Sequence, residues 1–268
     1  ILEEVTGGKL NSGYLEIQQK NKLNRVPLTE DFNVTGLMRI IKYEPSIPSN
    51  LAGISKGTFP SHSIKTDEER IENLSGYKYD KLKLYTYYET EKLDGSSETM
   101  YLKDDVFGVT SRNQDLIETH DNTFWKIARE LNIEEKMREY AKNHNITNFN
   151  LQGELIGEGI QKNKYKLKGQ TIRLFRALNI DEFEFFKYKD FLSMADEMDL
   201  KTVPILGIVQ LPETIPELKK HVQGKSLLNP DMEREGSVFV CADDDGNNNH
   251  HGRLSFKAIS TTFTLEHE

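Results

Sequence analysis

Hydrophobic and polar positions along the chain follow two periods. Alternation at every second residue recurs in "SGYLEI", "VTGLMRIIKYEP", "KLKLYTYYET", "FNLQGELIGEGI", "TIRLFRALNI", "EGSVFVCA" and "RLSFKAIS", and it predicts strands. Spacing near 3.6 residues in "DNTFWKIARELN", "NIEEKMREYAKNH", "YKDFLSMADEMDL" and "IPELKKHVQG" predicts helices. The second of these is expected to be capped by Asn132 with Glu135, and the last to start on Pro216 and stop at Gly224. In "KTDEERIENLSG", Thr66 followed by Glu69 forms a capping box and Gly76 supplies a left-handed stop, so a short helix is expected there too.

Residues 1–58 carry short strand-like runs and no convincing helix, ending in "SIPSNLAGISKGTFPSHS", which reads as a linker. A partial β domain over 1–58 and a mixed α+β domain of mainly antiparallel sheet over 59–268 follow. "DDDGNNNHH" reads as a turn with a hairpin signal at Asp245-Gly246, its aspartates lacking EF-hand spacing and His250 and His251 being loop residues.

Composition narrows the picture. At 268 residues the chain can bury a sizeable core, and its formal net charge of −8 argues against binding nucleic acid through an overall positive field. The single cysteine, Cys241, excludes an internal disulfide and a cysteine zinc cage and fits a reducing compartment. With no signal-peptide pattern and no membrane-length apolar run, a soluble, intracellular (cytoplasmic) protein is expected. The chain opens on Ile1, so N-terminal sequence beyond it is expected.

Candidate chemistry starts at "EKLDGS", where Lys92, Asp94 and Gly95 form K-x-D-G. Alone this is a surface turn. A nucleophilic lysine needs its neutral amine, against an ordinary pKa of about 10.4, and a buried strand end near other cations would supply that. In "KNKYKLKG", Lys162, Lys164, Lys166 and Lys168 recur at every second residue. On a strand they would share one face, either solvated or tracking a phosphate backbone.

Taken in order, these segments resemble the covalent nucleotidyltransferase superfamily of ATP-dependent polynucleotide ligases and mRNA-capping enzymes, whose first motif is K-x-D-G. "VTSRN" with Arg112 is similar to the next motif and "LQGELIG" with Glu154 to the third. "IRLFRAL" with Phe175 is similar to the adjoining aromatic motif, "REGSVFV" with Glu235 to the fourth and "LSFKAIS" with Lys257 to the fifth. The fold implied is an ATP-grasp-like ligase domain of mainly antiparallel sheet, preceded by a partial OB-fold β-barrel.

The resemblance implies that Lys92 attacks the α-phosphate of ATP, forming lysyl-AMP and expelling pyrophosphate. Lys257 would neutralise that phosphate and, as a nearby cation, keep Lys92 unprotonated. Asp94, Glu154 and Glu235 are the candidate holders of Mg2+ or Mn2+. Glu154 and Arg112 would grip the ribose, Phe175 and Val238 would face the adenine, and Glu91 and Leu93 complete the nucleotide-binding set. Arg173 and Arg176 could reach phosphates or lie on a solvated edge.

Only Ala258 to Glu268 follow Lys257, too few for the OB domain that DNA ligases and capping enzymes place after motif five. Either the chain is truncated or it belongs to the RNA-ligase branch. "VTGLMRIIKYEPSIP" and "FPSHSIKTDEERIENL" resemble the join between an N-terminal OB domain and the catalytic domain in one group of RNA ligases, and "GKLNSGYLEI" resembles a strand pair of that OB domain. This branch implies ATP-dependent sealing of 3′-OH and 5′-phosphate RNA ends, in a nicked duplex or another break; separately, a monomer is expected. The alternatives are a DNA ligase, an mRNA-capping guanylyltransferase, and a non-catalytic OB-containing nucleic-acid-binding protein. One departure stands out: many ligases carry two basic residues in motif five, whereas this chain has Ser255, Phe256 and Lys257, with Arg253 the candidate for the missing charge.

Overall fold

A computed structural model describes residues 9–11, 14–19, 22–27, 53–74, 76–242 and 254–267. The chain forms two compact units, Ile1–Ser46 and Ile47–Glu268. In the first, β1 (Lys9–Asn11), β2 (Tyr14–Gln19) and β3 (Lys22–Pro27) make an antiparallel sheet in chain order. The expected strand "VTGLMRIIKYEP", the start of the linker, "DDDGNNNHH" with His250 and His251, and Arg253 lie outside the described residues.

The second unit runs β4 (Ser55–Thr58), α1 (Gly76–Leu82), β5 (Thr86–Glu91), β6 (Ser96–Lys103), β7 (Val106–Thr110), β8 (Gln114–Leu116), α2 (Thr123–Glu130) and α3 (Ile133–His144). It continues through β9 (Phe149–Gly157), β10 (Gln170–Asn179), β11 (Glu184–Phe185), α4 (Tyr188–Glu197), β12 (Ile205–Gln210), α5 (Ile215–His221), β13 (Gly236–Cys241), β14 (Ser255–Ile259) and α6 (Thr261–His267). The strands form two sheets, a seven-stranded one ordered β11-β10-β9-β6-β7-β8-β4 and a four-stranded one ordered β12-β5-β13-β14. Their pairings are antiparallel. This is the expected α+β class. Ser55–Thr58 pairs with β8 inside this unit.

Strand alternation explains how the four-stranded sheet serves a core and a cavity at once. On one face Tyr87, Phe239 and Phe256 are fully buried and in ring contact, packed with Leu82 of α1 and Leu218 of α5. Each such side chain contributes about 1.5–3 kcal/mol by leaving water. The opposite face carries Thr90, Val238, Val240 and Lys257, with Val238 directly opposite Thr90 on β5 and Lys257 on β14. The larger core lies on the seven-stranded sheet, where Trp125, Ile127 and Ala128 of α2 and Ile133, Met137 and Tyr140 of α3 cover Met100, Leu151 and Leu174.

Local signals are kept where nothing distant competes. Asn122 caps α2 by accepting from Phe124 and Trp125 N–H groups, and Thr214 with Glu217 closes a capping box on α5. Elsewhere the fold departs from the local pattern. Asn132 sits in the left-handed region at the head of α3 and makes no side-chain cap, α5 ends at His221 rather than at Gly224, and β5 starts at Thr86 because Lys81 and Leu82 close α1.

The helix expected from Thr66 does not form. Its segment runs extended into a 3-10 turn at Ile71–Asn73, and Gly76 starts α1 instead of stopping a helix. Tertiary partners hold the backbone open: Gln152 donates to Ile64 O at 2.7 Å, Arg176 to Lys65 O at 2.6 Å, and Lys257 N to Glu69 O at 2.8 Å. "KNKYKLKG" is likewise no strand. A 3-10 turn, Gln161–Asn163, overlaps its start, and Lys162 and Lys166 are at positive φ, so its lysines share no face.

Candidate active site

The K-x-D-G turn lies where β5 leaves its sheet. Lys92 N donates to Gly236 O at 3.0 Å, holding the lysine against β13, while Asp94 N donates to the Tyr165 hydroxyl at 2.7 Å and Gly95 N to Glu154 Oε1 at 3.0 Å. Gly95 is required by closeness, since a Cβ there would sit 2.4 Å from Leu155 O on β9. The turn is thereby pinned between the two sheets.

Lys92 Nζ lies 2.6 Å from Glu235 Oε1, with 23% and 17% of the two side chains exposed. Both face a cavity of about 680 Å³. Glu91 and Leu93 border it beside the lysine, and Glu154, Phe175, Val238, Lys257 and Arg112 join them on its wall. Asp94 is not among the cavity's lining residues, and its carboxylate is bound by Lys164; Arg173 and Arg176 do not line it either. Arg112 is at an exposed position and pairs with Asp67 at 2.6 Å.

Burial sets the protonation behaviour of the group. It pushes the Glu154 carboxyl up to about 7, against the opposing pull of the Lys92 charge, and raises Glu235 for the same reason. Burial lowers Lys257, and the neighbouring Lys92 charge lowers it further. Oε2 of Glu235 is buried without a hydrogen-bond partner among the described residues.

The sequence pattern missed one wall of the cavity. The extended segment contributes Thr66, Asp67, Glu68 and Arg70, with Arg70 bridged to Lys257 through the backbone and in no ion pair among the described residues. A false helix signal had hidden it. Ser255, where a second motif-five cation was looked for, donates to Glu68 at 2.6 Å. Arg176 is buried and held by Glu68 at 3.1 Å and by Lys65 O, so it is neither a phosphate ligand nor on a solvated edge.

The family described as RNA ligase matches residues 85–259, a span that contains Lys92 and Lys257. The chain belongs to the RNA ligase family. The ligase is therefore an enzyme, and the DNA-ligase, capping and non-catalytic readings fall away. Among solved structures it is similar to a lysine-to-alanine mutant of Naegleria gruberi RNA ligase with ATP and Mn, at 34% identity and a TM-score of 0.73, covering 95% of this chain and 76% of that one. A lysine-to-methionine mutant of that protein with AMP and Mn gives 34% identity, TM-score 0.72 and 94% and 76% coverage. An apo aspartate mutant gives 34% identity, TM-score 0.72 and 95% and 76% coverage. No curated protein matches the ligase. None of its described helices is long and apolar enough to cross a membrane.

Proposed function

We propose that this chain seals RNA 3′-OH and 5′-phosphate ends using ATP and a divalent metal, through AMP carried on Lys92, and acts as a monomer. The observation that carries the reading is the convergence of Lys92, Glu154, Glu235 and Lys257 on one cavity within an RNA ligase. Lys92 has to leave Glu235 and shed its Nζ proton before it can attack. A nitrogen–phosphorus bond then forms as the bond from the α-phosphorus to pyrophosphate breaks. Lys257, already destabilised as a cation, lowers its own cost by meeting the phosphate.

The donor chemistry fits a hard divalent ion. Glu235 Oε2 is orphaned, yet among the described residues no three acidic, histidine or cysteine side chains are grouped to hold a metal alone. That suits an ion of the magnesium type, which keeps water and takes few protein ligands. Glu154, Glu235 and Asp94 would hold it directly or through its waters, and it would supply charge neutralisation at the phosphates. Phe175 and Val238 line the cavity with apolar surface for the adenine, and Glu154 and Arg112 are assigned to the ribose.

In the following steps AMP passes to the RNA 5′-phosphate, and the 3′-OH displaces AMP. Positioning of the two ends dominates the last step because the leaving group is already activated. The three-stranded sheet of the first unit is assigned to an OB-fold domain that helps hold RNA through phosphates and 2′-hydroxyls. Incubation with α-labelled ATP and Mg2+ is expected to give an acid-labile protein adduct that is lost in Lys92→Ala, and the parent is expected to seal a nick bearing an RNA 3′-OH. No adduct on the parent protein refutes the reading.

A further inference from the structure

The acid of K-x-D-G is not free. Its carboxylate is bound by the Lys164 ammonium, and the two side chains are only 20% and 21% exposed. Lys164 is itself held in place: Nζ lies over the Phe263 ring of α6 at 4.7 Å, and its carbonyl accepts from Asn229 Nδ2 at 2.9 Å. The next residue supplies the Tyr165 hydroxyl that receives Asp94 N, and Gln161 Nε2 donates to Gly95 O at 3.3 Å. The loop that reads as a lysine stripe is thus built onto the nucleophile turn, and one lysine reaches the acid.

The arrangement at the other acid is parallel. Glu235 is paired with Lys92 as Asp94 is with Lys164, and Lys164 also acts electrostatically on Glu235. Two single positive charges therefore lie on two carboxylates assigned to one doubly charged ion. Each ammonium engages one oxygen of its carboxylate, so a metal ion binding the other oxygen meets that positive charge or has to displace it.

We infer that Lys164 is a positioning residue that takes the place of the divalent cation on Asp94 in the nucleotide-free enzyme, competing with free metal. The inference rests on the proposed role of Asp94 as a metal-holding acid. Free ions must meet or displace the Lys164 charge unaided, whereas an ion arriving with the triphosphate brings ligands and binding energy with it. Lys164 thereby delays metal occupancy until nucleotide is present.

Mn2+ titration of nucleotide-free full-length protein, followed by the electron paramagnetic resonance signal of free Mn2+, tests this. Lys164→Met is expected to bind Mn2+ about fivefold more tightly than the parent, the scale of one ion pair. Lys164→Arg should bind as the parent does, and Asp94→Asn combined with Lys164→Met should cancel the gain. Far-UV circular dichroism checks each fold, with Lys164→Gln used if the methionine variant is unfolded. An unchanged affinity in the neutral variant, or a gain that survives Asp94→Asn, overturns the inference. The metal dependence of lysyl-AMP formation in Asp94→Asn is read separately. If it matches the parent, the metal role of Asp94 fails and the inference with it; if it weakens while Lys164→Met titrates like the parent, the inference alone fails.

Discussion

Replacing Glu154 with Gln tests the electrostatics of the cavity without reference to catalysis. The carboxyl is raised from 4.5 to about 7, chiefly by burial. A raised carboxyl favours folding in its neutral form, so that stability is complete below the unfolded pKa and is lost as pH rises through about 7. At about 1.4 kcal/mol per tenfold change in proton affinity, moving from 4.5 to about 7 corresponds to about 3 kcal/mol. The side chain keeps some solvent contact, which reduces the effect to about 1–2 kcal/mol. Gln keeps an oxygen for the Gly95 N–H and has no charge to bury. The variant should therefore gain on the parent between pH 5.5 and 8 by about 3–6 °C in Tm for a unit of this size. Thermal unfolding followed by circular dichroism at the two pH values, without nucleotide or metal, measures it. A Tm difference that stays constant, or shrinks as pH rises, refutes the assignment of a carboxyl raised by burial.

Two further outcomes follow from the cavity walls. Gly95→Ala places a Cβ 2.4 Å from the Leu155 carbonyl oxygen; it should cost about 1–3 kcal/mol in urea unfolding and displace Lys92, lowering lysyl-AMP formation. Arg70→Ala should leave Tm near that of the parent and slow lysyl-AMP formation about tenfold in single-turnover assays, because an unpaired cation beside Lys257 is lost. A parent-like rate would remove Arg70 from the site.

The residues proposed for the chemistry could be picked out because phosphoryl transfer restricts their types, and the fold brings Lys92, Glu154, Glu235 and Lys257 to one cavity. A lysine nucleophile, carboxylates for a hard cation and a second lysine for phosphate leave few substitutes, and Lys92, Glu154, Phe175, Glu235 and Lys257 lie in or beside strands that alternation identifies, whereas Arg112 follows a strand it did not mark. The left-handed or tightly approached positions were less visible. Gly95 is needed for contact with Leu155 O, and that contact belongs to a strand about sixty residues away.

By itself the sequence determined the α+β class, the strands that carry Glu154 and Lys257 and those that end beside Lys92 and Glu235, and the helices whose caps face no distant competitor. Those features depend on local periodicity and on chemistry that permits few residue types. Tertiary structure decided the segment from Ile64 to Arg70, where buried Gln152 and Arg176 needed backbone acceptors and outweighed a capping box worth about 1 kcal/mol. It also decided that Arg70 stands beside Lys257 and that Lys164, in place of a lysine stripe, binds Asp94. Each is a pairing between residues far apart in the chain, and no local pattern encodes which partner a buried polar group will find.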